Sequence, residues 1–292
     1  MNGILLRPVV SHEDAVQAED LQRATSARTE LDIVPSHLIL TLAHNGGVVL
    51  GGFDKGQMVG LLIDFLASDE ETPERVVMAR LKHWSHLLAV HPDHADRDLG
   101  FALRCAQRDL VIRQGVRLIS WAEDPLDARL AFLSIRRLGA ISRKYLREAG
   151  LSSGASPEPE APADRLLMDW WITTRRVAAR VEGIRKPLNL VHFLEAGARV
   201  ANPATLREDR LPVPPQDVVL PDANLVLIEV PPDLDALRAR EPNLCRQWGL
   251  HTRGIFESLF HVGYLVMDFV LLSEERIPRA FYLLSRGDAT LG

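Results

Sequence analysis

The sequence predicts an α/β (α+β) protein: a mixed central sheet flanked by helices, followed by a smaller C-terminal β-α-β-β unit. Three observations lead there. Stretches that alternate as strands do are interleaved with stretches whose apolar residues recur at helical spacing. Glycine and proline punctuate them at element length. The 292-residue chain is 47% hydrophobic and 25% charged, the balance of a globular protein with room for two domains.

Ile4 to Pro8 reads as a strand, and Ser11 with the acidic residues behind it opens a helix reaching about Thr25. A second helix starts at Ser36. Asn45-Gly46-Gly47 signals a turn, and the strands Val48 to Phe53 and Gln57 to Ala67, joined through Asp54 to Gly56, make a hairpin. After the acidic loop Ser68 to Glu74, Leu81 to Val90 alternates as a fourth strand and His91-Pro92-Asp93 ends it. Leu99, Leu103, Ala106, Leu110 and Val111 then mark a helix from Leu99 to Gln114, stopped by Gly115. A strand follows from Val116 to Trp121, a helix from Leu126 to Leu138 ending at Gly139, and strands at Ala140 to Leu146 and Leu166 to Ile172. Leu151 to Ala163, rich in Ser, Pro, Gly and Glu, reads as a mobile loop or insertion.

Residues 1–175 are therefore expected to form the main domain, 176–223 a connecting region of mixed signals, and 224–292 a C-terminal α+β unit. In that tail Asn224 to Val230 is a strand, Pro231-Pro232-Asp233 caps a helix that reaches Phe260 with a break near Pro242, and Tyr264 to Leu272 and Arg279 to Leu284 are two more strands.

The net charge of -5 and the absence of a Lys/Arg run argue against nucleic acid as a partner. Two cysteines, Cys105 and Cys245, suggest neither a disulfide framework nor a thiolate metal cage, and a reducing, cytoplasmic location is expected. Met1 to Pro8 lacks the charged start and apolar core of a signal peptide, and no apolar stretch reaches the roughly 18 residues of a membrane span.

The chemistry lies between Leu87 and Leu103, where a strand ends in Ala89-Val90-His91-Pro92 and a helix opens with Arg97-Asp98-Leu99-Gly100-Phe101-Ala102. N–H groups at such a helix start converge on one spot, and the helix dipole favours negative charge there. Gly100 and Ala102 keep side chains away, so that a diphosphate can approach the backbone. With Arg97, Gly100 and Ala102 in the positions of Gln/Arg-x-x-Gly-x-Gly/Ala, the stretch resembles the GNAT superfamily of acyl-CoA-dependent N-acyltransferases, as does the element order over some 170 residues. Ser85-His86, Asp124-Pro125-Leu126 and Leu138-Gly139-Ala140 look like a group of GNAT acetyltransferases that carry a C-terminal extension.

The resemblance implies a GNAT-like sheet, acetyl-CoA or another acyl-CoA as co-substrate, and a small-molecule amine, such as an amino acid, as acceptor. Arg97 to Ala102, that is Arg97, Asp98, Leu99, Gly100, Phe101 and Ala102, would hold the diphosphate, and the backbone of Leu88, Ala89 and Val90 the pantetheine and acyl carbonyl. One departure concerns the acid: Ile135 stands where many members place a tyrosine, and Leu130 and Ser134 where the extended group shows asparagines.

Acyl transfer to an amine needs a base, oxyanion donors and an acid for the leaving thiolate. His86 is the candidate base, sharing parity with Leu88 and Val90, with packing in a strand as the alternative. Ser134 and Tyr145 are candidate acids by position. Glu123 and Asp124 follow a strand end, where they could meet an ammonium group or cap a helix. His83, His86, His91 and His94 invite a zinc reading, but a strand turns His83 and His86 to opposite faces and no cysteine or carboxylate completes a set, so no metal is expected. Trp248, His251, Thr252 and Arg253 continue into an apolar stripe with Phe256 and Phe260. Core packing is one reading of them; in the other, Arg253 pairs with a substrate carboxylate. Cys105, inside the helix, reads as a core residue, so attack is expected to be direct. A CoA-binding regulatory protein without turnover is the competing functional class, and the tail offers a surface for a homodimer.

Overall fold

The computed structural model describes residues 3–25, 30–69, 73–74, 76–148, 163–184, 188–273 and 276–286. These divide into two compact units, 3–121 with 171–173, and 122–148 with 163–170 and 174–286. The sequence draws its boundary near residue 175 instead. The loop expected at Leu151 to Ala163 falls, except for Ala163, outside the described residues.

The first unit begins with β1 (Ile4–Pro8), α1 (His12–Thr25), α2 (Ser36–His44), β2 (Val49–Asp54) and β3 (Gln57–Ser68). It continues with β4 (Leu81–Val90), α3 (Leu99–Arg113) and β5 (Leu118–Glu123), the last two residues of β5 belonging to the second unit. Its sheet runs β1-β2-β3-β4-β5, antiparallel as far as β4 and parallel between β4 and β5. Ser11 opens α1 by accepting from the Asp14 N–H at 3.1 Å, and the Asp14 carboxylate receives both arms of Arg7 at 2.7 Å, which ties the helix start to β1. The β2–β3 hairpin turns on two residues of positive φ, Lys55 at 51° and Gly56 at 88°, the handedness that matches strand twist.

Each face of this sheet is covered by a different layer. Ala15, Ala18 and Leu21 of α1 and Ile39 of α2 pack with Val49, Phe53, Leu61, Ile63, Leu87 and Ala89 in one core. On the other face Leu99 and Leu103 of α3, both fully buried, lie over Gly60, with Leu99 also over Gly52.

The second unit contains α4 (Ala128–Ala131), a π-helix (Phe132–Arg137), β6 (Ile141–Leu146), β7 (Arg165–Trp171, its last residue belonging to the first unit), α5 (Arg175–Val181) and α6 (Leu190–Glu195). Short strands β8 (Arg199–Val200), β9 (Thr205–Leu206) and β10 (Pro212–Val213) precede β11 (Leu225–Val230), α7 (Leu234–Arg240), α8 (Pro242–His261), β12 (Tyr264–Leu272) and β13 (Arg279–Arg286). The tail thus has the expected β-α-β-β order, with the helical break at Glu241-Pro242. Its strands extend the sheet of β6 and β7 in the order β7-β6-β12-β13-β11-β8. β9 and β10 form a separate two-stranded sheet.

One helix departs from expectation. The continuous α-helix read from Leu126 to Leu138 is a single α-turn followed by a π-helix. The Leu138 N–H bonds the Leu133 carbonyl at 3.0 Å, five residues back, while the Arg180 guanidinium takes the carbonyls of Ile135 and Arg136 at 2.7 and 2.6 Å. A side chain from α5 thereby reinforces the carbonyl end of the wider turn, where the Ile135 carbonyl also accepts from the Gly139 N–H at 3.2 Å. No helix among the described residues is long and apolar enough to cross a membrane.

Candidate functional site

In the first unit, β4 does not alternate evenly. Ser85 pairs with Asp64 and Leu87 with Ile63, which leaves His86 as an extra residue in a β-bulge. The bulge exchanges the faces. His83 and Ser85 lie with Asp64 among polar groups of α3, whereas Leu87 and Ala89 join the core under α1 and α2. Residue parity therefore does not fix the face of His86. Its ring, partly buried, lies 6.4 Å from that of Phe65 and has no hydrogen-bond partner among the described residues. Burial depresses its pKa below the ordinary 6.5, so the imidazole is neutral at pH 7.

Among the described residues β4 and β5 pair through His83 with Ile119 and Trp84 with Ser120 and at no other position. From Ser85 to Val90, about 17 Å of strand at ~3.3 Å per residue, β4 is paired among the described residues on its β3 side alone. An extended ligand arm can hydrogen-bond such an edge as an added strand would. The edge includes Leu88, Ala89 and Val90.

The connection to α3 begins at the end of this strip with a 3-10 turn over Pro92–Arg97. Asp98 follows with a left-handed φ of 55° and does not cap the helix with its side chain, so the N–H groups of Leu99 and Gly100 begin α3 without that acceptor. His94 anchors the turn to Asp54 at the end of β2, at 3.2 Å. Phe101 and Ala102 complete the first helical turn; the side chain of Arg97 lies outside the described residues. The helix start is seated closely on the sheet. A Cβ on Gly60 would stand 2.7 Å from a Leu99 methyl and 3.1 Å from a Leu103 methyl, and one on Gly52 3.0 Å from Leu99. Glycine at both positions lets α3 approach.

Beneath α3 lies a buried polar chain that the sequence reading missed. His83 Nδ1 is 2.6 Å from Asp64 Oδ1, Gln107 Nε2 donates to Asp64 Oδ2 at 2.5 Å, and Arg104 donates to Gln107 Oε1 at 3.1 Å and to Ser85 Oγ at 2.7 Å. The available signal was two polar residues, Arg104 and Gln107, spaced i, i+3 beside the apolar stripe of a helix. Of the histidines once grouped, His83 goes to Asp64, His94 to Asp54, and His91 accepts from the Asp93 N–H at 3.3 Å.

The second unit holds the other candidates. Ser134, on the π-helix, donates to the buried Glu123 carboxylate at 2.7 Å. Tyr145 donates to Asp164 at 3.0 Å, and Arg253 grips the same carboxylate with two bonds of 2.7 and 3.0 Å. The structure thus brings Tyr145 and Arg253 together around Asp164, and Ser134 together with Glu123. Burial raises the Tyr145 pKa well above 10, with the Asp164 charge second. Arg147 and Glu257 add a second bidentate pair between the end of β6 and α8, at 2.6 Å. Asp164, the hub of this cluster, carried no signal in sequence beyond lying at the edge of a Pro-rich stretch.

No protein-family model and no curated protein sequence matches the chain. Solved acetyltransferase structures are similar to it. The ribosomal-protein-S18-alanine N-acetyltransferase of Escherichia coli is 16% identical, over 58% of this chain and 94% of that one, with a TM-score of 0.44. A GNAT-family acetyltransferase of Streptococcus pneumoniae is 14% identical, over 57% and 98%, with a TM-score of 0.44. A polyamine N-acetyltransferase of Drosophila melanogaster is 17% identical, over 57% and 98%, with a TM-score of 0.41.

Proposed function

We propose that the chain is an acyl-CoA-dependent N-acyltransferase of the GNAT type, moving an acetyl or other short acyl group to the amine of a small molecule by direct attack. One observation carries the reading: β4, whose outer edge from Ser85 to Val90 pairs with no described residue, leads through a tight turn into a helix start that the Asp98 side chain does not cap, seated on Gly52 and Gly60. That sequence of features suits a ligand with an anionic end and a long amide-bearing arm. Leu99 and Gly100 would offer N–H groups to the diphosphate, with Asp98, Phe101, Ala102 and Arg97 shaping the loop. The Leu88–Val90 edge would hold the arm. CoA supplies the activated acyl group; the protein supplies position and a proton acceptor.

His86 suits the second task. It is neutral at pH 7 and free of hydrogen bonds among the described residues, so it can take the proton of an ammonium acceptor directly or through a water. Arg253 is already committed to Asp164, and the proposal therefore gives it no substrate carboxylate to hold.

Calorimetric titration of CoA and acetyl-CoA into the wild type and Gly100→Glu tests the reading. Micromolar binding that a folded Gly100→Glu variant loses is the expected result. Absence of wild-type binding overturns it.

A second reading, a CoA-binding protein without turnover, has its own support. Ile135 provides no acid, Ser134 already donates to Glu123, and Tyr145 donates to Asp164 with its pKa raised. Thiol release across an amine panel separates the two, because a pure binder shows CoA-dependent stabilisation without release.

A further inference from the structure

Two neighbouring parallel strands with open edges tend to continue pairing, since every added pair satisfies backbone groups on both. β4 and β5 stop after Trp84 and Ser120. The next residue on each strand is Ser85 and Trp121, and one side chain touches both. The Arg104 guanidinium donates to Ser85 Oγ at 2.7 Å and lies 4.2 Å from the centre of the Trp121 ring. It is buried, 5% exposed, and Gln107 receives the same nitrogen at 3.1 Å. Gln107 is fixed in turn by Asp64.

We propose that Arg104 is a positioning residue that keeps β4 and β5 parted, so that the edge of β4 stays open for the acyl-CoA arm. The inference rests on the reading of that edge as the pantetheine strip. Three features favour a built prop over chance packing. The guanidinium lies on the α3 face of the sheet, against the side chains of the two residues that would form the next cross-strand pair. Its planar fork lets one face stack on an indole while an edge nitrogen hydrogen-bonds, which a lysine cannot reproduce. The bulge at His86 comes directly after, and moves β4 out of register with any renewed pairing.

The test compares wild type with Arg104→Met and Arg104→Lys, using CoA calorimetry and hydrogen exchange of the peptide covering Ser85 to Val90 without ligand. Folding is checked by exchange in β3 and α3. If Arg104→Met does not fold, Trp121→Leu removes the other half of the stack and takes its place. The expected result is a CoA affinity at least tenfold weaker together with slower exchange in the Ser85 to Val90 peptide, as freed strands pair. Unchanged CoA affinity in a folded variant overturns the proposal, and so does weakened affinity with unchanged exchange or with the faster exchange that a general loss of stability would produce. If the wild type binds no CoA, the acyltransferase reading fails, while the exchange arm still decides whether Arg104 parts the strands.

Discussion

Replacing Gly60 by alanine tests how the helix start is held. The new Cβ would stand 2.7 Å from Leu99 Cδ2, 3.0 Å from Leu99 Cγ and 3.1 Å from Leu103 Cδ1. Carbon atoms settle at ~3.5–4.0 Å, so the overlap is near 1 Å. Leu99 has little room to withdraw, being fully buried and seated over both Gly60 and its cross-strand partner Gly52. α3 must lift instead. Overpacking of this size costs about 1–3 kcal/mol, and alanine in place of a strand glycine returns about 0.5–1 kcal/mol, leaving a net loss of about 0.5–2 kcal/mol. The same lift lengthens the N–H contacts to a diphosphate, and a charged hydrogen bond is worth about 1.5–3 kcal/mol, so CoA affinity should fall about tenfold or more. Urea unfolding and CoA calorimetry measure the two effects. Leu99→Ala in the same chain should make the double variant less damaged than the two losses added together. An alanine variant as stable as wild type, with wild-type CoA affinity, would refute the seating argument.

Other predictions follow from single contacts. Hydrogen bonds from Arg7 hold the Asp14 carboxyl at about 2, below its ordinary 3.8, so the pair stabilises the fold fully above about pH 5 and is lost as pH falls toward 2. With the Arg7 side chain 37% exposed the pair is worth about 1–2 kcal/mol, and the stability gap between wild type and Asp14→Asn should close at pH 2. His86→Gln should lower kcat by about 10²–10⁴ without weakening CoA binding. It should also abolish a rising limb of kcat/KM whose midpoint lies below 6.5 in the wild type; a limb that persists would remove His86 as the base. Asp164→Ala takes the acceptor from both Tyr145 and Arg253 and should cost about 2–4 kcal/mol. A loss near zero in thermal unfolding would mean that the cluster does not hold the end of β6 to α8. Gly254→Ala, in the interior of α8 with nothing within 4 Å of the added methyl, should stabilise by up to about 1 kcal/mol.

Much of the fold was legible because its signals are local. Lys55-Gly56 between alternating strands, Gly115 after an amphipathic helix and Pro242 between two helical runs each act within a few residues, and the elements they bound stand where the sequence puts them. The helix start at Leu99 and the strand before it were legible for the same reason. The π-helix was not, because its wide turn is supported by Arg180, which is more than forty residues away in sequence. The bulge at His86 was hidden as well: a one-residue excess is a relation between β4 and β3, and β4 read alone alternates without interruption. Arg253 looked available for a substrate only because its partner, Asp164, is 89 residues distant. Short strands such as β8 and β10 exist through their partners, and two residues carry no period.

The π-helix bears on how positions are compared between proteins. Such a turn carries one residue more than the α-turn it replaces, which is the footprint of a single inserted codon. Counting forward from Ala128 and counting backward from Gly139 then assign different residues to the same place on the helix surface. Ile135 is the occupant of the tyrosine position by one count, and Ser134 or Arg136 stands in its place by the other. Deleting one residue between Phe132 and Ser134 would wind the segment back to an ordinary helix and leave the side chains after it where they now point.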